Sequence, residues 1–217
     1  MFKSLEQWRG DVTFFNKVSR PVPCKEILDA PWSEIVSAIK PEEPTRINDK
    51  ADAKVFLPCR LQELPNSDGA MEKKRSKDHV TEAKILVVDI DGLPEANFQE
   101  GLDKLKADNV TFIAYTTFSH GLKADMRVRV VVPLDSAVDL REYAAVWRNF
   151  DRKYFNGADK SGAKMYQAQA VYCCHPDRQS QTWENAAELL SVEELLVLLP
   201  SETASNKYPL ADANRIA

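Results

Sequence analysis

The chain has 217 residues, a formal net charge of −4 at pH 7, 44% hydrophobic residues and 29% charged ones. That length suits one large domain or two small halves, and the apolar share is enough for a real core, so global disorder is excluded. The mild acidity excludes a protein that coats nucleic acid by bulk positive charge, though not one that grips it locally. No apolar stretch approaches the ~20 residues of a membrane span. The opening MFKSLEQWRGDVTFF lacks the apolar segment of a secretory signal. Four cysteines without an export signal fit a reducing compartment. The expectation is a cytoplasmic protein that makes no use of a membrane.

The elements are less regular in the first half. Ser4 to Asn16 reads as an amphipathic helix with Ser4 and Gln7 as a capping box, and Pro31 to Ile39 as a second helix. Lys54 to Leu57 is a short strand. The polar segment ELPNSDGAMEKKRSKDHVTE then reads as a surface loop holding the densest basic run, Lys73 to Lys77. From Lys84 the pattern sharpens. Ile85 to Val88 is the apolar run of a buried strand. Pro94 to Lys106 follows as a helix with Phe98, Leu102 and Leu105 on one stripe. Val110 to Thr117 and Arg127 to Val132 are strands, the latter closed by Pro133. Val138 to Phe155 is a helix that Gly157 can terminate. Gln169 to Cys173 is the last strand, and SVEELLVLLP (191–200) a final short helix. The order β-α-β-β-α-β over residues 84–176 is that of a ferredoxin-like or RNA-recognition-motif-like core. The fold class is therefore α+β: that core packed on a smaller N-terminal α/β half (1–83), with a helical segment (177–200) and a linker-like tail (201–217).

The chemistry concentrates in three places. In VVDIDG, Asp89 and Asp91 alternate along a strand and project from one face. Two neighbouring carboxylates repel unless a cation lies between them, and Mg²⁺ or Mn²⁺ suits oxygen ligands. In TTFSHGL, Ser119 and His120 offer a hydroxyl, an imidazole and backbone N–H groups to an anion. Arg127 and Arg129 share a face of the next strand and form a plausible phosphate clamp, since arginine holds phosphate oxygens bidentately. If the first and third strands of the core end at one sheet edge, a third metal carboxylate comes from Asp135 or Asp159, and the Ser119–His120 hairpin lies toward the opposite edge. Only an elongated substrate would then touch both. Cys173, Cys174 and His175, with Cys24 and Cys59 far upstream, lack the pair spacing of a zinc site.

Together these residues resemble the archaeo-eukaryotic primase superfamily, specifically the primase–polymerase domains of phage and plasmid replication proteins. VVDIDG looks like the acidic first motif, TTFSH with RVRVVVPL like the second, and ADKSGAKMYQAQAVYCCHP like the third, over roughly Lys50 to Pro176. The resemblance implies a template-dependent nucleotidyltransferase, a DNA primase or polymerase of phage, plasmid or mobile-element replication in a bacterial or phage-infected cell. It implies that Asp89, Asp91 and Asp159 hold two divalent ions, Mg²⁺ or Mn²⁺. Ser119, His120, Arg129 and Arg127 would hold the triphosphate of an NTP or dNTP. A single-stranded DNA template is the implied partner, and a helicase domain or protein a further one. The family's second motif is Ser-x-His, whereas Ser119 and His120 are adjacent, so Thr117 or Ser119 fills the serine role. Gln167 and Gln169 stand where some relatives are basic, which leaves Asp135 as the alternative to Asp159.

Two other readings compete. Asp-x-Asp-Gly after a strand also fits haloacid-dehalogenase phosphatases, with Asp89 as nucleophile and Thr117 as the downstream hydroxyl, on a parallel sheet. A non-catalytic single-strand binder would instead stack bases on Tyr115 and Tyr172.

Overall fold

The computed structural model describes residues 4–122 and 125–197. Strands β1 (Gly10–Phe15) and β2 (Lys25–Ala30) form a hairpin, followed by helix α1 (Trp32–Ile39), β3 (Thr45–Arg46) and β4 (Val55–Leu57). A small hairpin, β5 (Leu64–Pro65) and β6 (Met71–Glu72), leads to the long strand β7 (Ala83–Leu93). Then come α2 (Glu95–Ala107), β8 (Phe112–Thr116), β9 (Met126–Val138) and α3 (Leu140–Tyr154). Short strands β10 (Gln169–Ala170), β11 (Cys173–Cys174) and β12 (Thr182–Asn185) precede α4 (Val192–Val197). The tail 201–217 and the end of the expected 191–200 helix lie outside the described residues.

Two four-stranded sheets organise the chain. The N-terminal sheet runs β10-β4-β1-β2, and the core sheet β12-β8-β9-β7. Strand β7 lies between two apolar layers. Leu86, Val88 and Ile90 pack with Phe98, Leu102, Val146 and Trp147 from α2 and α3. Ile85 and Val87 pack with Val12, Phe14, Ile27 and Phe56 of the N-terminal sheet. Burial on both faces is why the sequence here is a continuous apolar run rather than an alternation. Asp89 and Asp91 continue the Ile85–Val87 face, so they point into the cleft between the sheets.

The fold is α+β, and the β-α-β-β-α order stands as expected. Several local expectations give way. Ser4–Asn16 is no helix: a turn at residues 5–7 leads into β1, where Val12 and Phe14 face one layer and Phe15 the other. Segment 169–173 is not the fourth core strand. It splits into β10, which joins β4, and β11, which joins β3. The fourth strand is β12, antiparallel to β8 at the far edge. Pro133 does not close its strand; β9 runs on to Val138, and Pro133 sits opposite a register shift between Ala83 and Ile85. Pairing with β8 stops at Val131, so the missing N–H costs no ladder bond there. Asn156, with φ 52°, rather than Gly157, takes the left-handed position after α3. The basic run is spent internally: Lys73 bonds Glu26 at 2.8 Å, Lys74 pairs with Glu72, and Arg75 donates to the Val18 carbonyl over the Phe15 ring.

Strand β7 is the last of its sheet, and the groups along its outer side are bonded by elements that pack beside it. The Val87 N–H donates to the Tyr143 hydroxyl (3.2 Å), and Trp147 Nε1 donates to the Val87 carbonyl (3.1 Å). The Asp159 N–H donates to the Asp89 carbonyl (2.8 Å).

Candidate active site

The direction of the strands decides what meets what. β9 is antiparallel to β7, and β8 to β9, so β7 and β8 end at the same sheet edge. The hairpin carrying Ser119 and His120 leaves β8 at that edge, beside Asp91, and not across the sheet from it. The third strand ends at the opposite edge, which removes Asp135: its carboxylate accepts from the Val192 N–H at the start of α4 (3.1 Å).

Asp89 lies directly opposite Arg129, and Asp91 opposite Arg127. Both pairs are joined: Arg129 Nη2 donates to Asp89 at 3.0 Å, and Arg127 Nη1 contacts Asp91. The two pairs differ in depth. Arg129 is 5% exposed; its Nη1 also donates to the Ala170 carbonyl at 2.7 Å, and its plane lies over the Tyr115 ring. Burial works against its charge, but Asp89 and Tyr115 outweigh it and hold its pKa above the ordinary value. Arg129 therefore ties β9 to β10 of the other sheet. Asp91 lies outward, its side chain 45% exposed, while its partner Arg127 is largely covered. Strand β7 then ends in a bulge at Gly92, whose φ of 100° suits glycine alone.

The hairpin is a tight turn: the Thr117 N–H donates to Arg127, the His120 N–H to Thr117 and the Leu122 N–H to Ser119. Gly121 supplies the positive φ, 79°. Burial lowers the His120 pKa, while Glu95 at the start of α2 pulls it the other way. Among the described residues His120 Nδ1, Arg127 Nε and Arg129 Nε are buried with no hydrogen-bond partner. Such nitrogens near one edge suit an anion that would satisfy them.

Asp159 is placed against Asp89 through its backbone, but its carboxylate is exposed and accepts from the Ser161 N–H and hydroxyl, both at 2.9 Å. Among the described residues no group of three or more His, Cys, Asp or Glu is arranged to hold a metal ion. Asp89 and Asp91 are hard oxygen donors on one strand face, each paired with its own arginine. They fit Mg²⁺ or Mn²⁺, which bind through one or two carboxylates and complete their shell with water and substrate phosphates. Cys59, Cys173 and Cys174 are buried, and burial pushes the Cys59 and Cys173 thiols up; Cys24 is exposed on another loop.

Sequence reasoning missed Arg178 and weighed His175 only as a zinc ligand. Arg178 donates from Nη1 to the Phe118 carbonyl at 3.0 Å, and Phe118 also meets the His175 ring. The Pro176-Asp177 pair marks the turn that delivers them, and that signal was present in the sequence. Tyr115 and Tyr172, offered as stacking platforms, are 0% and 3% exposed and pack on each other in the inter-sheet layer. The single-strand binder loses its surface. The phosphatase reading loses its scaffold, since among the described residues β7 pairs with the antiparallel β9 and no parallel neighbour.

Residues 68–171 match the family model of the VapE N-terminal domain. That span contains Asp89, Asp91, Ser119, His120, Arg127, Arg129 and Asp159, and stops short of His175 and Arg178. Among solved structures the chain is similar to the primase-polymerase domain of cyanophage S-2L, at 11% identity and a TM-score of 0.47 over 91% of each chain. It is also similar to the polymerase domain of Mycobacterium tuberculosis Ligase D in complex with DNA. There identity is 13% and the TM-score 0.41, over 87% of this chain and 80% of that one. A search of curated proteins with the sequence gives no match. Among the described residues no helix is long and apolar enough to cross a membrane.

Proposed function

We propose that the chain is a template-directed nucleotidyltransferase of DNA replication, a primase or polymerase that joins nucleoside triphosphates on a single-stranded DNA template. One observation carries the reading: the Asp89–Asp91 strand and the Ser119–His120 hairpin meet at one edge of the core sheet. The acidic pair and the anion-seeking nitrogens are then close enough to serve one nucleotide.

In this reading Asp89 and Asp91 hold the divalent metal, Mg²⁺ or Mn²⁺. When bound, it lowers the pKa of the attacking 3′-hydroxyl and offsets charge on the leaving pyrophosphate. The triphosphate lies along the hairpin, where Ser119, the unpartnered His120 Nδ1 and the Arg127 guanidinium face it. Arg127 exchanges the Asp91 carboxylate for phosphate oxygens, acceptors of the same charge and similar spacing. Arg129 keeps Asp89 in place. Asp159 is a third ligand only if its carboxylate leaves Ser161. Asp89, Asp91 and Arg127 are fixed by strand backbone, and donors set in place beforehand stabilise charge without reorganising.

The test is nucleotide incorporation on a single-stranded template with Mn²⁺ or Mg²⁺ and labelled NTPs or dNTPs, with and without primer. Asp91→Asn is compared with the parental chain. Incorporation by the parental protein and none by the variant is expected; equal rates overturn the reading.

A further inference from the structure

The turn after β11 reaches the site from outside the core sheet. His175, Pro176, Asp177 and Arg178 close it, with the Arg178 N–H donating to the His175 carbonyl (3.1 Å) and Pro176 at its second position. Arg46 of β3 holds it by donating to the Pro176 carbonyl (2.8 Å), and β11 pairs with β3 immediately before. The turn is therefore anchored to the N-terminal half of the protein. What it presents is a clasp on the hairpin. Arg178 donates to the Phe118 carbonyl (3.0 Å) and lies over the Phe118 ring (5.8 Å to the centroid). His175 meets the other part of that ring edge-on, 6.1 Å between centroids. The Arg178 stem also runs past Gly121, 3.6 Å from where a Cβ would stand.

We propose that Arg178 is a positioning residue: it fixes the Phe118–Gly121 turn, and through it the orientation of Ser119 and His120 toward a bound triphosphate. The physical ground is that the hairpin has few other ties. Among the described residues its own bonds are the backbone bonds at Thr117, His120 and Leu122, with Thr116 bonded to Gln181 at its base. Short turns held only so open readily. A charged donor on a carbonyl, with a stacked guanidinium, is among the stronger single restraints available. The link also joins the two halves of the molecule at the substrate edge, since Arg178 is carried by β11 and β3 while the hairpin belongs to β8 and β9.

The functional part rests on the nucleotidyltransferase reading; the structural part does not. The experiment separates them. Amide hydrogen exchange is followed in the full chain for the parental protein, Arg178→Met and Arg178→Lys. Binding of a non-hydrolysable nucleoside triphosphate is measured alongside, with KM and kcat for incorporation. With Arg178→Met, exchange of the Thr117, His120 and Leu122 amides is expected to rise about tenfold, as ~1.4 kcal/mol of local stability would give. Amides of β7 and β9 should not change. Nucleotide affinity falls and KM rises by a similar factor with kcat little altered, and Arg178→Lys recovers part of each. Unchanged hairpin exchange in Arg178→Met overturns the proposal, as does a uniform rise across β7 and β9, which would mark a general packing role. Faster hairpin exchange in a protein that binds no nucleotide, parental chain included, supports the clasp and defeats the nucleotidyltransferase reading.

Discussion

The two edges of the core sheet both carry aspartates, and they use them differently. At one edge Asp135 accepts from the N–H of Val192, and Asp139 closes a reciprocal capping box with Glu142 at the start of α3. These carboxylates are bonded by backbone N–H groups at the starts of helices, which have nowhere to go. At the other edge Asp89 and Asp91 are bonded by arginine side chains across the ladder. A guanidinium can change partners; a helix N-terminus cannot. The contrast separates structural acids from exchangeable ones. Within the second edge it separates Asp89, locked to a buried arginine, from Asp91, paired near solvent.

The largest expected effect tests the outer pair. Asp91→Asn should cut nucleotide incorporation by about 10³-fold or more, the scale on which removing a charge-stabilising group acts, with little change in melting temperature. Incorporation within tenfold of the parental rate would break the distinction between the edges. Next is the inner pair. Asp89→Ala leaves Arg129 buried without its carboxylate and should destabilise the fold by about 3–5 kcal/mol. Asp89→Ala is therefore a poor probe of chemistry alone. Urea unfolding measures it, and adding Arg129→Met should restore much of the loss. If the single variant unfolds like the parental protein, Asp89 is no more locked than Asp91. At the far edge Asp135→Ala should cost about 1 kcal/mol, the worth of an ordinary hydrogen bond, and leave incorporation unchanged.

The smallest effect concerns His120. Its folded pKa is depressed by burial, so below its unfolded value of about 6.5 the unfolded chain takes up the proton first. Its contribution to stability is complete above that value and is lost as pH falls toward the folded pKa. Urea midpoints at pH 5.5 and 7.5 should differ less in His120→Asn than in the parental chain. Glu95→Gln should widen the parental difference, because Glu95 is what opposes the depression.

Much of the core was legible. Ile85 to Val88, the Phe98–Leu102–Leu105 stripe and the inward face of α3 carry strong patterns, and tertiary contacts only reinforced them. The first strand was not. Trp8, Val12 and Phe15 stand at helical spacing while Val12 and Phe14 stand at strand spacing, and pairing with β2 and β4 decided between them. Gln169 to Cys173 looked like one strand because its apolar pattern does not reveal that two different partners claim its ends. In the site, the alternation of Asp89 with Asp91 and of Arg127 with Arg129 was readable. The register that sets each acid against one arginine was not, because register depends on the partner strand. The antiparallel direction of β9 then brought the hairpin to the acids, where the assumption of a shared end for the first and third strands had placed it far away.

The groups bonded along the outer side of β7 bear on how copies of the protein meet one another. An unpaired outermost strand with this much valine and isoleucine is a template on which another chain can add itself. Tyr143, Trp147 and the Asp159 backbone occupy the positions an incoming strand would need. The strand that carries the acidic pair is thereby kept from seeding sheet growth between molecules, and a Trp147→Ala chain would be the one to show aggregation at concentrations the parental protein tolerates.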